Sequence, residues 1–127
     1  MADQRLPRAL RIRHGRDFLR VYRRRCTAAD QYLVVYGGPN GLGHPRLGMS
    51  VSRKLGGAVL RNRWRRLLRE AFRLIRPQLP PGLDLIVIPR PEAKPKLAAL
   101  VASLPRLAER VARKLAPRTQ SGGFSSP

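Results

Sequence analysis

One segment, Ala58 to Ile75, constrains the chain more than any other: AVLRNRWRRLLREAFRLI. At about 100° per residue, Leu60, Trp64, Leu67, Leu68, Ala71, Leu74 and Ile75 gather on one side of a helix. Arg61, Asn62, Arg63, Arg65, Arg66, Arg69 and Arg73 cover the other, and Glu70 is the only acid among them. Such a helix must lay its apolar stripe on a core and leave a nearly unmixed cationic face outside. Arg61, Arg65, Arg69 and Arg73 each stand one turn apart, a spacing that can follow a phosphodiester backbone. Asn62 is a neutral donor and acceptor among them, able to reach a base, a sugar or a hydrated ion. The bland alternative is a solvated charged face, but solvated faces normally mix signs.

The whole chain repeats that bias. Its 127 residues carry 27 Lys and Arg against 7 acids, a formal charge of +20. Charge of this size repels itself in a compact fold and favours polyanionic partners. Arginine dominates, and its planar fork pairs with phosphate and stacks on bases. Nucleic acid is the main reading, and an anionic membrane surface is the weaker one. Hydrophobic residues make up 43%, enough for a globular core, and the length fits one domain. Cys26 is the lone cysteine, so no intrachain disulfide forms and a reducing, cytoplasmic setting is expected. No secretory signal is visible at the N-terminus, and no apolar run approaches the roughly 20 residues of a membrane span.

Organisation follows from local pattern. Residues 1–14 form a basic segment interrupted by Pro7, residues 15–116 the domain, and residues 117–127 a Ser- and Gly-rich tail expected to be disordered. A helix is expected from Gly15 to about Arg25, with Phe18, Leu19 and Tyr22 on one face. Gln31 to Tyr36 reads as a strand in which Tyr32, Val34 and Tyr36 alternate with Leu33 and Val35. The loop GGPNGLGHP and a second strand, Arg46 to Ser52, look like the rest of a hairpin. Pro77 ends the arginine-rich helix, and Leu83 to Ile88 (LDLIVI) suits a central strand buried on both faces. Residues 96–116 have helical periodicity, which Pro105 should kink or split. Helices packed on a small sheet give an α+β or α/β sandwich.

Arg53 to Arg73, preceded by RLGMSVS, resembles the signature of the bacterial ribonuclease P protein family. Lys54, Gly56, Ala58, Val59, Arg61, Asn62, Arg63, Arg66, Arg69, Glu70 and Phe72 carry the match. Gly15-Arg16-Asp17-Phe18 with Tyr22 is similar to the family's first helix, and Asp84 to Ile88 to its last strand. The resemblance covers roughly residues 5–115. This chain departs from it in Arg65, where Lys is frequent, in the bulkier Trp64, in Gly57, and in Pro105.

The resemblance implies an α+β fold in the order αβββαβα. Three helices lie on a four-stranded sheet with a left-handed βαβ crossover, as in the second domain of ribosomal protein S5. It supplies a short strand near Thr27 to Ala29 that the pattern alone does not reveal. It also implies an endoribonuclease subunit that assists removal of the 5′ leader from precursor tRNA. Catalysis would reside in a large RNA with Mg²⁺ bound mainly by that RNA, and the protein alone would be inactive. Arg53, Lys54, Arg61, Asn62, Arg63, Arg65, Arg66, Arg69 and Arg73 would meet the catalytic RNA. Arg13, Phe18, Tyr22, Val34 and Tyr36 would meet the leader. On residues alone the aromatic pair at i, i+4 reads as core, and Arg11, Arg13, Arg16 and Arg20 flank it. The expected partners are ribonuclease P RNA and precursor tRNA, with no membrane and no stable protein partner.

No nucleophile-base set, zinc spacing or paired carboxylates appears, so hydrolysis by the chain itself is not expected. His14 and His44 read as solvated residues. Two rivals remain on the sequence: a ribosomal or ribosome-associated protein, and a DNA-binding module, which would need a helix reading base edges.

Overall fold

The computed structural model describes residues 6–116. The order is α1 (Gly15–Arg23), β1 (Thr27–Ala29), β2 (Leu33–Pro39), β3 (Arg46–Met49), α2 (Ala58–Ile75), β4 (Leu83–Pro89) and α3 (Leu97–Leu115). This is the αβββαβα sequence, with the short strand at Thr27–Ala29 in place. The tail assigned to residues 117–127 lies outside the described residues.

The sheet runs β1-β2-β4-β3. β4 is central because it is apolar on both faces, and all of it but Ile88 is buried. It pairs antiparallel with β2 and parallel with β3. The expected hairpin of β2 with β3 is therefore corrected: β4 lies between them. Strands flanking a third are about 9.6 Å apart, a span six loop residues cover easily, whereas a hairpin needs only a tight turn. The loop also has a partner of its own, since Asn40 donates its backbone N–H to Gly82 at the entry to β4 (2.9 Å). The parallel pair β3 and β4 is joined through α2, which makes this connection a βαβ crossover.

α2 and α3 pack on each other over one face of the sheet, and α1 lies on the other. The main core fills the first interface, with Trp64, Leu68, Phe72, Ile75, Leu104 and Leu107 almost fully buried. Phe72 was not on the expected stripe, while Leu74, which was, is 46% exposed. The wheel finds the stripe but not which of its edges the neighbouring helix covers. α3 approaches the sheet closely enough that a Cβ on Gly37 would stand 2.1 Å from Val111 Cγ1. It also runs unbroken through Pro105, so of the kink or split expected there the split does not occur. The ring removes one backbone donor, but Leu100, Leu104, Leu107, Ala108 and Val111 anchor the helix on both sides of it.

Both sheet edges are covered, which removes the hazard of open strands. Arg110 donates to the Ala29 carbonyl (3.3 Å) and Lys114 to that of Thr27, on the outer side of β1. Along β3, Ile12 donates its N–H to the Leu47 carbonyl (2.9 Å), and Arg11 bridges to Leu47. The N-terminal segment is therefore part of the fold from Leu6 onward, with Leu6 and Leu10 in the main core.

Candidate nucleic-acid interface

The cationic face begins before α2. Ser52 caps a short 3-10 turn, Arg53–Leu55, by accepting from the Lys54 backbone N–H (3.3 Å), and both Arg53 and Lys54 are exposed. Gly56 then adopts φ 135°, a region that glycine tolerates and other residues rarely adopt, and the chain turns into α2. Asn62, Arg63 and Arg66 are exposed, while Arg61, Arg65 and Arg69 are half-buried along one flank. Asn62 Oδ1 accepts from Arg65 Nη1 (3.0 Å), which orients both side chains.

The arginines of this face are not equivalent. Arg73 is engaged by Glu70 through two hydrogen bonds, Nη2 to Oε2 at 2.6 Å and Nε to Oε1 at 3.2 Å. Among the described residues, Arg61, Arg65, Arg66 and Arg69 form no ion pair. Burial, followed by the charges of Arg11 and Arg65, pushes Arg69 below the ordinary arginine value. Arg11 and Arg61 each bury an Nε with no hydrogen-bond partner among the described residues. Packing unpaired guanidiniums together is unfavourable by itself, and a polyanion laid on them would relieve it.

The aromatic residues lie across the sheet from α2. Tyr22 of α1 and Tyr36 of β2 meet edge to face, with centroids 4.9 Å apart and planes at 79°. Phe18 sits on β3 at Gly48, where a Cβ would come within 3.0 Å of its ring. Burial raises the Tyr22 pKa, opposed by a side-chain hydrogen bond with Ser50, and Tyr36 adds to the rise. Val34 is half-buried on the same face, two residues from Tyr36 and paired in register with Ile88. Ile88 also packs here, and its alternation with the buried Ile86 was the available signal for it. Phe18, Tyr22 and Tyr36 are only partly buried on a floor of Ile12, Val21 and Ile86. The structure thus gathers Phe18, Tyr22, Val34 and Tyr36 along one face. Arg13 is exposed beside Ile12.

Arg20 does not border this cleft as expected. Its guanidinium turns to the buried Asp84, Nη2 to Oδ2 at 2.6 Å, and to the Pro39 carbonyl. Arg46 and Asn40 bind the same carboxylate. Sequence reading missed this network, because an acid inside LDLIVI carries no local sign of its partners. Arg11 also changes sides, lying near Arg69 of α2 while its neighbour Ile12 faces the aromatic cluster. His14 is exposed, and the His44 ring lies 3.2 Å from the Pro45 carbonyl.

These features define a class: a small basic α+β domain with a cationic helix on one side of its sheet and a partly exposed aromatic cluster on the other. The family model described as Ribonuclease P matches residues 6–112. The chain belongs to the ribonuclease P protein family, and so is a subunit of the endoribonuclease of tRNA 5′ processing. It is 42% identical over 80 residues to the ribonuclease P protein component of Caldanaerobacter subterraneus subsp. tengcongensis, covering 63% of this chain and 69% of that one. The Pelotomaculum thermopropionicum component is 46% identical over 79 residues, covering 62% and 70%. Among solved structures, the RNase P protein from Thermotoga maritima superposes with a TM-score of 0.72 at 35% identity, over 79% of this chain and 96% of that one. The Staphylococcus aureus protein gives 0.71 at 37%, over 86% and 100%. No described helix is long and apolar enough to cross a membrane.

Proposed function

We propose that the chain binds the RNA of ribonuclease P through α2 and the 5′ leader of precursor tRNA through the aromatic cleft. Arg53, Lys54, Arg61, Asn62, Arg63, Arg65, Arg66 and Arg69 meet phosphates of the catalytic RNA and screen its charge. Arg73 contributes less, because Glu70 already holds it. Phe18, Tyr22, Val34 and Tyr36 offer stacking surface to unpaired leader bases, with Arg13 and Arg16 exposed nearby in sequence to meet phosphates. Mature tRNA has no leader to place there, so the protein favours precursor over product.

The observation that carries this reading is the arginine set of α2 without ion pairs among the described residues, with the buried, partnerless Nε of Arg61 in it and that of Arg11 near it. Catalysis belongs to the RNA, and Mg²⁺ supplies charge neutralisation and an activated water there. Three of the described carboxylates are already engaged and do not fit such an ion. Asp84 is held by Arg20 and Arg46, Asp30 by Ser103 and two backbone N–H groups, and Glu70 by Arg73. Among the described residues no three His, Cys, Asp or Glu side chains cluster. The test is cleavage of precursor tRNA by the purified protein, by the family's RNA at moderate Mg²⁺, and by the two together. Site-specific 5′ cleavage that needs the RNA and rises with the protein is expected. Cleavage by the protein alone, resistant to prior ribonuclease treatment, would overturn the assignment.

A further inference from the structure

A groove of about 610 Å³ runs between residues 6–11 and the last turn of α2. Exposed Pro7, with the small uncovered edges of the core residues Leu6 and Leu10, gives it an apolar lining. Arg8, Arg11, Arg73 and Arg76 surround that lining, and no acid among the described residues contributes to it. Its size falls in the range of small-ligand clefts, about 300–1,000 Å³.

Two of these cations have a structural reason to be present. Arg73 and Arg76 stand at the C-terminal end of α2, where positive charge complements the helix dipole, and Glu70 holds Arg73. Arg8 and Arg11 have no such reason. Arg11 is pinned by its bridge to Leu47, buries its Nε without a partner, and lies close enough to Arg69 to depress it. A buried guanidinium donor held beside a like charge is costly unless an acceptor arrives. Arg11 also connects the two surfaces, since it lines the groove and neighbours the arginine row of α2.

We propose that this groove is a nucleotide site, which takes one unpaired RNA nucleotide at the end of the strand docked on α2. The phosphate lies on Arg11 and Arg76. The base lies against Pro7 and the uncovered edge of Leu10, with the exposed Arg8 guanidinium plane stacking on it. A bare anion would use the cations but leave the apolar lining idle, so the ligand class is a nucleotide. The proposal extends the RNA-facing reading of α2 and rests on it.

The test uses the full chain and follows arginine Nε–H and leucine methyl resonances by NMR. Adenosine 5′-monophosphate and inorganic phosphate are titrated separately at one ionic strength. The nucleotide should shift Arg11 Nε–H together with the Leu6 and Leu10 methyls, and bind at least fivefold tighter than phosphate. Arg8→Ala with Arg76→Ala, both at exposed positions, should weaken the nucleotide at least fivefold while the remaining spectrum keeps its dispersion. Equal binding of the two probes, with shifts spread over all surface arginines, would overturn the site and leave only a diffuse positive field. Unchanged nucleotide affinity in the double variant would also overturn it. Ribonuclease P RNA binding by Arg65→Ala, Arg69→Ala separates the two readings. If that binding falls while the nucleotide never shifts the groove, the groove proposal fails and the α2 reading stands. If the nucleotide binds the groove while RNA binding ignores those arginines, the α2 reading fails, and the groove is a nucleotide site that does not continue a strand on α2, which overturns the proposal as stated.

Discussion

Arg46 grips Asp84 with two parallel hydrogen bonds, Nε to Oδ1 at 2.8 Å and Nη2 to Oδ2 at 2.7 Å, joining β3 to the buried start of β4. Asn40 adds a bond to Oδ1 (2.9 Å) and Arg20 one to Oδ2 (2.6 Å), so the loop after β2 and helix α1 are tied to the same carboxylate. The position of α1, and with it that of Phe18 and Tyr22 in the aromatic cluster, depends on this group.

Asp84 should set part of the acid limit of the fold. Burial alone would raise its pKa, but the bonds from Arg46, Asn40 and Arg20, with the charge of Arg46, hold it below the ordinary aspartate value. A folded pKa below the unfolded one gives stability that is complete above about pH 4. It is lost as the pH falls through the lower folded value. Asp84→Asn should therefore cost about 3 kcal/mol at pH 7, because it strands two cations, and much less at pH 2. Urea unfolding at both pH values measures this. Equal losses at the two would mean that the carboxylate's charge is not what stabilises the fold.

Much of this architecture can be read from local pattern, and the reasons for the misses are equally physical. The bounds of α2 follow from a period of 3.6 that its own side chains impose, and the central place of β4 from apolar residues on both faces. Which strand sits beside which is decided by partners far away in sequence. A loop such as 40–45 is compatible with either a hairpin or a strand inserted between. The same limit governs the site. Sequence flags Tyr22 and Tyr36, and the fold brings them into contact. It also flags Arg20 as a cleft cation, but only a carboxylate sixty-four positions away reveals that this charge is already engaged. Arg11 and Arg13 look equivalent until the bridge to Leu47 places Arg11 near α2.

Replacing Arg65 and Arg69 together with Ala should weaken binding to ribonuclease P RNA and flatten its salt dependence. Each lost phosphate contact removes about 0.7–0.9 from the log-log slope, so the pair should remove about 1.4–1.8. The fold should survive, since neither side chain forms an ion pair among the described residues and Arg69 is disfavoured where it stands. Binding isotherms at four or more salt concentrations give the slope. An unchanged slope places the RNA elsewhere on the surface.

Trp64→Ala should act on stability instead. The indole is fully buried at the centre of the α2–α3–sheet core, so truncation leaves a large cavity. A loss of about 3–5 kcal/mol is expected. Denaturant unfolding reports it directly, and at concentrations where the variant remains folded its RNA salt slope should match that of the parent. A small stability loss would mean that the core collapses around the missing ring.

Discrimination between precursor and product should reside in Tyr22 and Tyr36. Their edge-to-face contact leaves both rings only partly buried on the floor of Ile12, Val21 and Ile86. Unpaired bases can stack on such a surface, whereas a duplex or a mature 5′ end presents no free base to it. Tyr22→Ala with Tyr36→Ala should weaken holoenzyme binding to leader-bearing tRNA by about 1–3 kcal/mol per lost stack and leave mature tRNA almost unaffected. Tyr22→Phe separates stacking from the hydroxyl, because it keeps the ring and removes only the hydroxyl near Ser50. It should retain most of the preference for precursor. Both dissociation constants are measured at one salt and Mg²⁺ concentration, with variants shown to fold and to join the RNA. Arg20→Ala is not a useful probe of the cleft's charge, because it breaks the tie of α1 to Asp84 and Pro39. Arg16→Ala is the better one, and a modest loss for precursor alone is expected of it. If Tyr22→Ala with Tyr36→Ala weakens precursor and mature tRNA equally, the rings serve the core or general RNA contact, and the discrimination lies outside them.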